Sequence, residues 1–115
     1  MFKNTSILFL LVALVGQIKL PYPITDTIWV YKDVNQEYKL EFRDQGQLIS
    51  HNPNDKSPIN DSWKIKKDKI IFYYNDHYVR HKGSFTHADT IKGFGYTASG
   101  KYPFTLIRSK EKVKL

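Results

Sequence analysis

The side chains in this chain best suited to chemistry are four histidines, His51, His77, His81 and His87. His77 and His81 stand four apart, a spacing that on a helix would set two imidazoles on one face, as zinc sites use. Here they lie on or beside a run with the period of a strand, where residues four apart are about 13 Å distant. No acidic side chain stands at ligand spacing from them, so no metal site is expected. Serine, histidine and aspartate are all present, but no nucleophile elbow, paired-carboxylate arrangement or phosphate loop occurs. Glu41 or Asp61 could act as an acid inside a cavity, and nothing singles either out. No catalytic residue and no cofactor are assigned, and the expectation is a protein that is not an enzyme. The chain has no cysteine, which removes disulfides, thiol nucleophiles and thiolate zinc ligands.

The stronger signal is aromatic and aliphatic. Trp29, Tyr38, Leu40, Phe42, Trp63, Ile65, Phe72, Tyr74 and Phe104 fall at regular alternate positions. Together they are the candidate lining of a pocket for a small hydrophobic molecule. The competing reading is that the same rings fill a core. Tyrosines suit a pocket mouth, because one end is apolar and the other takes water.

The elements that must position these residues have a period of two from Thr27 onward. Tyr38, Leu40 and Phe42 alternate with Lys39, Glu41 and Arg43, and Trp63 and Ile65 alternate with Lys64 and Lys66. Turn residues separate the runs, among them Asp44-Gln45-Gly46, Lys67-Asp68, Asn75-Asp76, Ala88-Asp89 and Ser99-Gly100. The pattern predicts strands near 27–32, 37–43, 47–51, 62–66, 69–75, 78–85, 90–97 and 102–108. The one long connection, Asn52 to Asp61, contains an acceptor pattern for glycosylation, Asn60-Asp61-Ser62. Eight short strands joined by tight turns make an antiparallel up-and-down meander, and closing it into a barrel removes two exposed edges. The fold class is therefore all-β, a small eight-stranded barrel. Its interior is one that side chains just fill, or that holds one small ligand. Strands this short leave little room inside. Gly83, Gly93 and Gly95 fall within strands, where glycine marks a bend or a close backbone approach.

Ahead of the barrel, Lys3 precedes a nearly unbroken apolar run from Ile7 to Val15, ended by Gly16 and Gln17. That pattern predicts a secretory signal over 1–16, its apolar run about half the length a membrane-spanning helix needs. An uncleaved anchor is the alternative. Gln17 stands where a lipoprotein box would require cysteine. Residues 17–26, with Pro21 and Pro23, read as an extended lead-in, 27–108 as the barrel and 109–115 as a basic tail. Export without disulfides points to the periplasm or exterior of a Gram-negative bacterium, with no stable membrane insertion after signal cleavage.

The 115 residues allow one domain, and the formal net charge is +7. A basic balance permits contact with nucleic acid, anionic lipid or acidic polymers. The densest groups are Lys64, Lys66, Lys67 and Lys69 at one turn, and Lys110, Lys112 and Lys114 at the end. They read as a solvated face and a frayed tail. An exported protein is not expected to meet nucleic acid.

The order of Trp29, Leu40-Glu41-Phe42, Gln45-Gly46, Trp63, Gly83, Gly93 and Tyr102-Pro103-Phe104 resembles short bacterial lipocalin-like barrels of the calycin type. The likeness covers about residues 26–108. Thr27 stands where the lipocalin pattern has glycine before the tryptophan. The resemblance implies a cup-shaped barrel with a small apolar ligand, and Arg108 stacked on Trp29 across the closed end. The alternative function is an interaction or inhibitor module for an envelope protein, working through its outer surface or the 52–61 loop over a filled core.

Overall fold

The computed structural model describes residues 21–55 and 60–114. The segment read as a signal, the first part of the lead-in and the middle of the long connection lie outside the described residues. Eight strands follow in chain order: β1 Thr27–Lys32, β2 Glu37–Phe42, β3 Leu48–Ser50, β4 Ser62–Lys66, β5 Lys69–Tyr74, β6 Val79–His87, β7 Thr90–Thr97 and β8 Gly100–Lys112. They form one antiparallel sheet in the order β3-β2-β1-β8-β7-β6-β5-β4. A short 3-10 turn at Asp44–Gly46 lies between β2 and β3. The all-β meander is thus the observed fold, a barrel closed everywhere except for one weak seam.

That seam lies between β3 and β4, which share a single bridge, Gln47 to Ser62. Side chains do the rest. The Trp63 indole N–H donates to the Arg43 carbonyl at 2.7 Å, and the Trp63 ring meets Phe42 edge-on at 5.5 Å. Beyond the bridge β4 has no strand on its outer side, and Ile65 is left exposed there. Ile65 therefore departs from its expected place in the barrel lining.

β8 runs on to Lys112, so Ser109 to Lys112 belong to a strand rather than to a tail. Thr27 pairs with Lys112, and Glu111 binds Lys39 at 2.5 Å. The lead-in also differs from a mere connector. Ile24 is buried in the core, and Tyr22 packs edge-on against Phe85 at 5.2 Å. Arg108 clamps this end. Its guanidinium lies 4.4 Å from the centre of the Trp29 ring, donates to the carbonyls of Pro23 (3.0 Å) and Ala88 (3.2 Å), and pairs with Asp89 at 3.2 Å.

Two in-strand glycines answer to close approach. Gly93 faces Gly83 across the β6–β7 pair, and a methyl group at 93 would overlap the Lys82 carbonyl and the Gly83 backbone. Gly95 lies under the ring of Tyr102. The Gly93→Ala variant is expected to lose about 1–3 kcal/mol of stability by overpacking. Urea unfolding followed by tryptophan fluorescence measures it, and an unchanged midpoint would refute the close-approach argument.

Candidate functional site

Inside the barrel, period-two alternation turns one row of each strand inward. Trp29, Tyr38, Leu40, Phe42, Trp63, Phe72 and Phe104 all join the buried core, with Tyr31, Leu48, Ile70, Ile91 and Leu106. Tyr74 packs against that cluster, partly buried. Phe72 is the hub. Its ring meets Phe104 at 5.4 Å and Phe42 at 5.7 Å, both edge-on, and lies flat against His81 at 4.4 Å with 1° between the planes. Of the residues expected to line a pocket, most are thus in mutual contact.

At the end opposite Arg108 the core turns polar. His81, fully buried, is ringed by Tyr31, Tyr74 and Tyr102. The Tyr31 hydroxyl donates to Asp33 Oδ2 at 2.5 Å and lies 3.4 Å from His81 Nε2, and the Tyr102 hydroxyl is 3.0 Å from the same nitrogen. Tyr38 and Tyr74 share a hydrogen bond of 2.6 Å. Asp33 also caps its own turn by accepting from the backbone N–H groups of Asn35 and Gln36. A depression of about 170 Å³ opens over this cluster, lined by Asp33 to Gln36 and Tyr102.

Burial sets the protonation states here. It pushes the imidazole of His81 down to about 3, since a charged ring would be stripped of water. Burial likewise raises the hydroxyls of Tyr31, Tyr38, Tyr74 and Tyr102 above the usual phenol range. At neutral pH the cluster is an uncharged network closed off by one carboxylate. A neutral, buried imidazole of such low basicity is a poor proton acceptor near pH 7.

The other groups with possible chemistry are dispersed. His77 sits in the β5–β6 turn against Tyr73, with ring centres 4.0 Å apart, and His87 is exposed at the end of β6. Glu41 lies on the outer face, bound by Arg43 (2.9 Å) and His51 (2.5 Å). Burial raises its pKa, but His51 and Arg43 outweigh that and hold the carboxyl below its usual value. Asp61 accepts from the Asn75 N–H at 3.0 Å, and burial with the neighbouring Asp55 pushes it up to about 6. Among the described residues, no three His, Asp or Glu side chains come together to hold a metal ion.

The outer wall of β4 to β8 carries a different arrangement. Register places Lys64, Lys66, Lys69, Arg80, Lys82, Lys92 and Lys101 on this face. No aspartate or glutamate occurs in β4, β5, β6 or β7. Aromatics interleave with the cations. Arg80 covers Tyr96 at 4.9 Å, Lys101 covers Phe94 at 4.7 Å and Lys64 covers Tyr73 at 5.8 Å. A groove of about 290 Å³ cuts this wall between Lys66, Lys67, Asp68, Lys69, Arg80 and Lys82, over Ile71.

Tyr31, His81 and Tyr102 were not among the expected lining residues, although parity carried the signal. Tyr31 stands two after Trp29, and His81 stands two before Gly83. The Asp33 contact has no counterpart in strand periodicity. Comparison of the chain with family models, curated proteins and solved structures finds no match to any of them.

The His81 ring makes a pH prediction. Its folded pKa lies below the unfolded value near 6.5, so the unfolded chain binds more protons between about pH 6.5 and 3. The stabilisation tied to neutral His81 is complete above that window and is lost as pH falls through it. The raised Asp61 acts in the opposite sense over part of the same range, so the comparison is made against His81→Leu, which keeps Asp61. The stability difference between wild type and His81→Leu should shrink on acidification by up to about 1.4 kcal/mol per pH unit. Urea titrations across a pH series check this, and a constant difference would contradict it.

Proposed function

We propose that this chain is an exported, lipocalin-like barrel that is not an enzyme and that works as a binding module through its outer wall. The observation that carries the reading is the packed interior. Phe72, Phe104, Phe42, Tyr31 and His81 occupy one another's contact surfaces in the space where a lipocalin ligand would lie. Seating an apolar guest there means displacing aromatic rings from native packing, at about 3–5 kcal/mol for each large side chain taken out of the core.

The electrostatics agree with this. The histidine at the mouth is neutral and weakly basic, which suits a structural plug better than acid–base catalysis. The outer wall, in contrast, holds unneutralised charge and exposed apolar surface side by side, including Phe94 and Ile107. Retaining unpaired like charges along a sheet face works against the compact state, and their position on one wall supports reading that wall as the working surface.

Two measurements separate this reading from ligand storage in the barrel. Titration with apolar fluorescent probes should give no saturable uptake, and one tight site per chain would sink the proposal. Phe72→Ala should lose about 3–5 kcal/mol of stability and gain probe binding in the space it vacates.

A further inference from the structure

We propose that the groove on the β4–β6 wall binds an acidic polysaccharide, a chain bearing carboxylate or sulfate groups on successive sugar rings. The inference rests on the outer-wall reading above and names its partner.

Charge is the first ground. Lys66, Lys67, Lys69, Arg80 and Lys82 surround the groove, and Asp68, which reaches Lys69 only at 3.8 Å, is its single acid. Among the described residues, Lys66, Lys67, Arg80 and Lys82 make no ion pair. Neighbouring strands stand about 4.8 Å apart and same-face residues along a strand about 6.7 Å apart, so the cations form a lattice rather than one point. Such a lattice fits a polymer with repeated charges better than a single small anion.

The kind of cation is the second ground. Four of the groove's cations are lysines, whose ammonium groups act as hydrated point charges, while forked recognition of phosphate is the province of arginine. The chain's other arginines are engaged elsewhere, Arg43 with Glu41 and Arg108 with Trp29 and backbone carbonyls. A lysine-lined groove suits many dispersed, hydrated charges along a polymer better than two-point capture of one anionic group.

The aromatic rings supply the third ground. Proteins that hold single-stranded nucleic acid offer open ring faces for bases to stack on. Here Tyr73, Tyr96 and Phe94 each have a cation over the ring, so the rings hold the cations in place. The floor of the groove is Ile71, buried beneath the lysine stems. With Ile71 buried, the aliphatic stems of the surrounding lysines are the apolar surface open to the C–H face of a sugar.

The test uses the full chain and five probes at low salt: polygalacturonate, dextran sulfate, neutral dextran, a single-stranded oligonucleotide and phosphatidylglycerol vesicles. Polygalacturonate and dextran sulfate should bind and neutral dextran should not. Raising the salt to about 1 M, where screening acts over about 3 Å, should release both. The triple variant K66E/K69E/K82E should weaken both by about tenfold or more, while K110E, away from the groove, leaves them unchanged. Circular dichroism confirms that each variant is folded, and single variants replace the triple if it is not. Tighter binding of the oligonucleotide or the vesicles would overturn the polysaccharide assignment and leave the outer wall as the working surface. Binding that charge reversal does not alter would overturn both.

Discussion

The flat stack of Phe72 on His81 is the contact around which this barrel is organised. On one side of it the interior is hydrocarbon, running through Phe42, Leu40, Ile70 and Leu106 to Trp29 and the Arg108 clamp. On the other it is a hydrogen-bonded ring of phenols ending at Asp33. A small barrel has to fill its interior and still satisfy whatever polar groups it encloses. His81 does the first fully and the second in part, offering a ring face to the apolar layer and Nε2 to the tyrosines while its buried Nδ1 has no hydrogen-bond partner. Because the ring is neutral, the dry layer beneath never has to solvate a charge.

A filled barrel is the ground for the proposal that the outer wall does the binding. The wall facing solvent across β4 to β8 shows how charge is sorted when the interior has no use for it. Acids gather in turns and beside β2, where Glu41 meets Arg43 and His51. Of charged side chains the strands β4 to β7 keep only cations, and Lys64, Arg80 and, on β8, Lys101 are braced by aromatic rings. Bracing has a physical effect on binding. A lysine already held over a ring loses less side-chain freedom when it meets an anion, so more of the electrostatic attraction remains as affinity.

Much of the fold was legible in the residue pattern, because a half-buried strand must alternate. The runs around Leu40 and Phe42, and around Trp63, named their strands directly. Three features escaped for different reasons. The pattern ends the last strand at 108 because Lys110 and Lys112 look like a solvated tail, and the pairing of Thr27 with Lys112 shows otherwise. Ile24 reads as part of a connector because two prolines precede it, while the Arg108 end of the barrel takes it as an apolar plug. Ile65 has the parity of a lining residue and the exposure of an edge, since alternation says nothing of a missing neighbour strand. The candidate surface was half visible. The lysines could be counted, but their convergence on one wall whose strands β4 to β7 carry no acid depends on register, which pairs Lys66 with Lys69 and sets Arg80 beside Tyr96.

The strand order also bears on the time course of folding. Each neighbouring pair from β4 to β8 forms through a short turn, as do β1 with β2 and β2 with β3. The β1–β8 pair is the exception, joining Thr27 to Lys112 across almost the whole domain. Closing so long a loop is entropically the most expensive pairing in the molecule, and nothing offsets it until both strands are present. Formation of that pair joins a group of three strands to a group of five. Until it occurs, β1 and β8 both present unpaired edges, and the molecule is at its most vulnerable to joining with a second copy of itself.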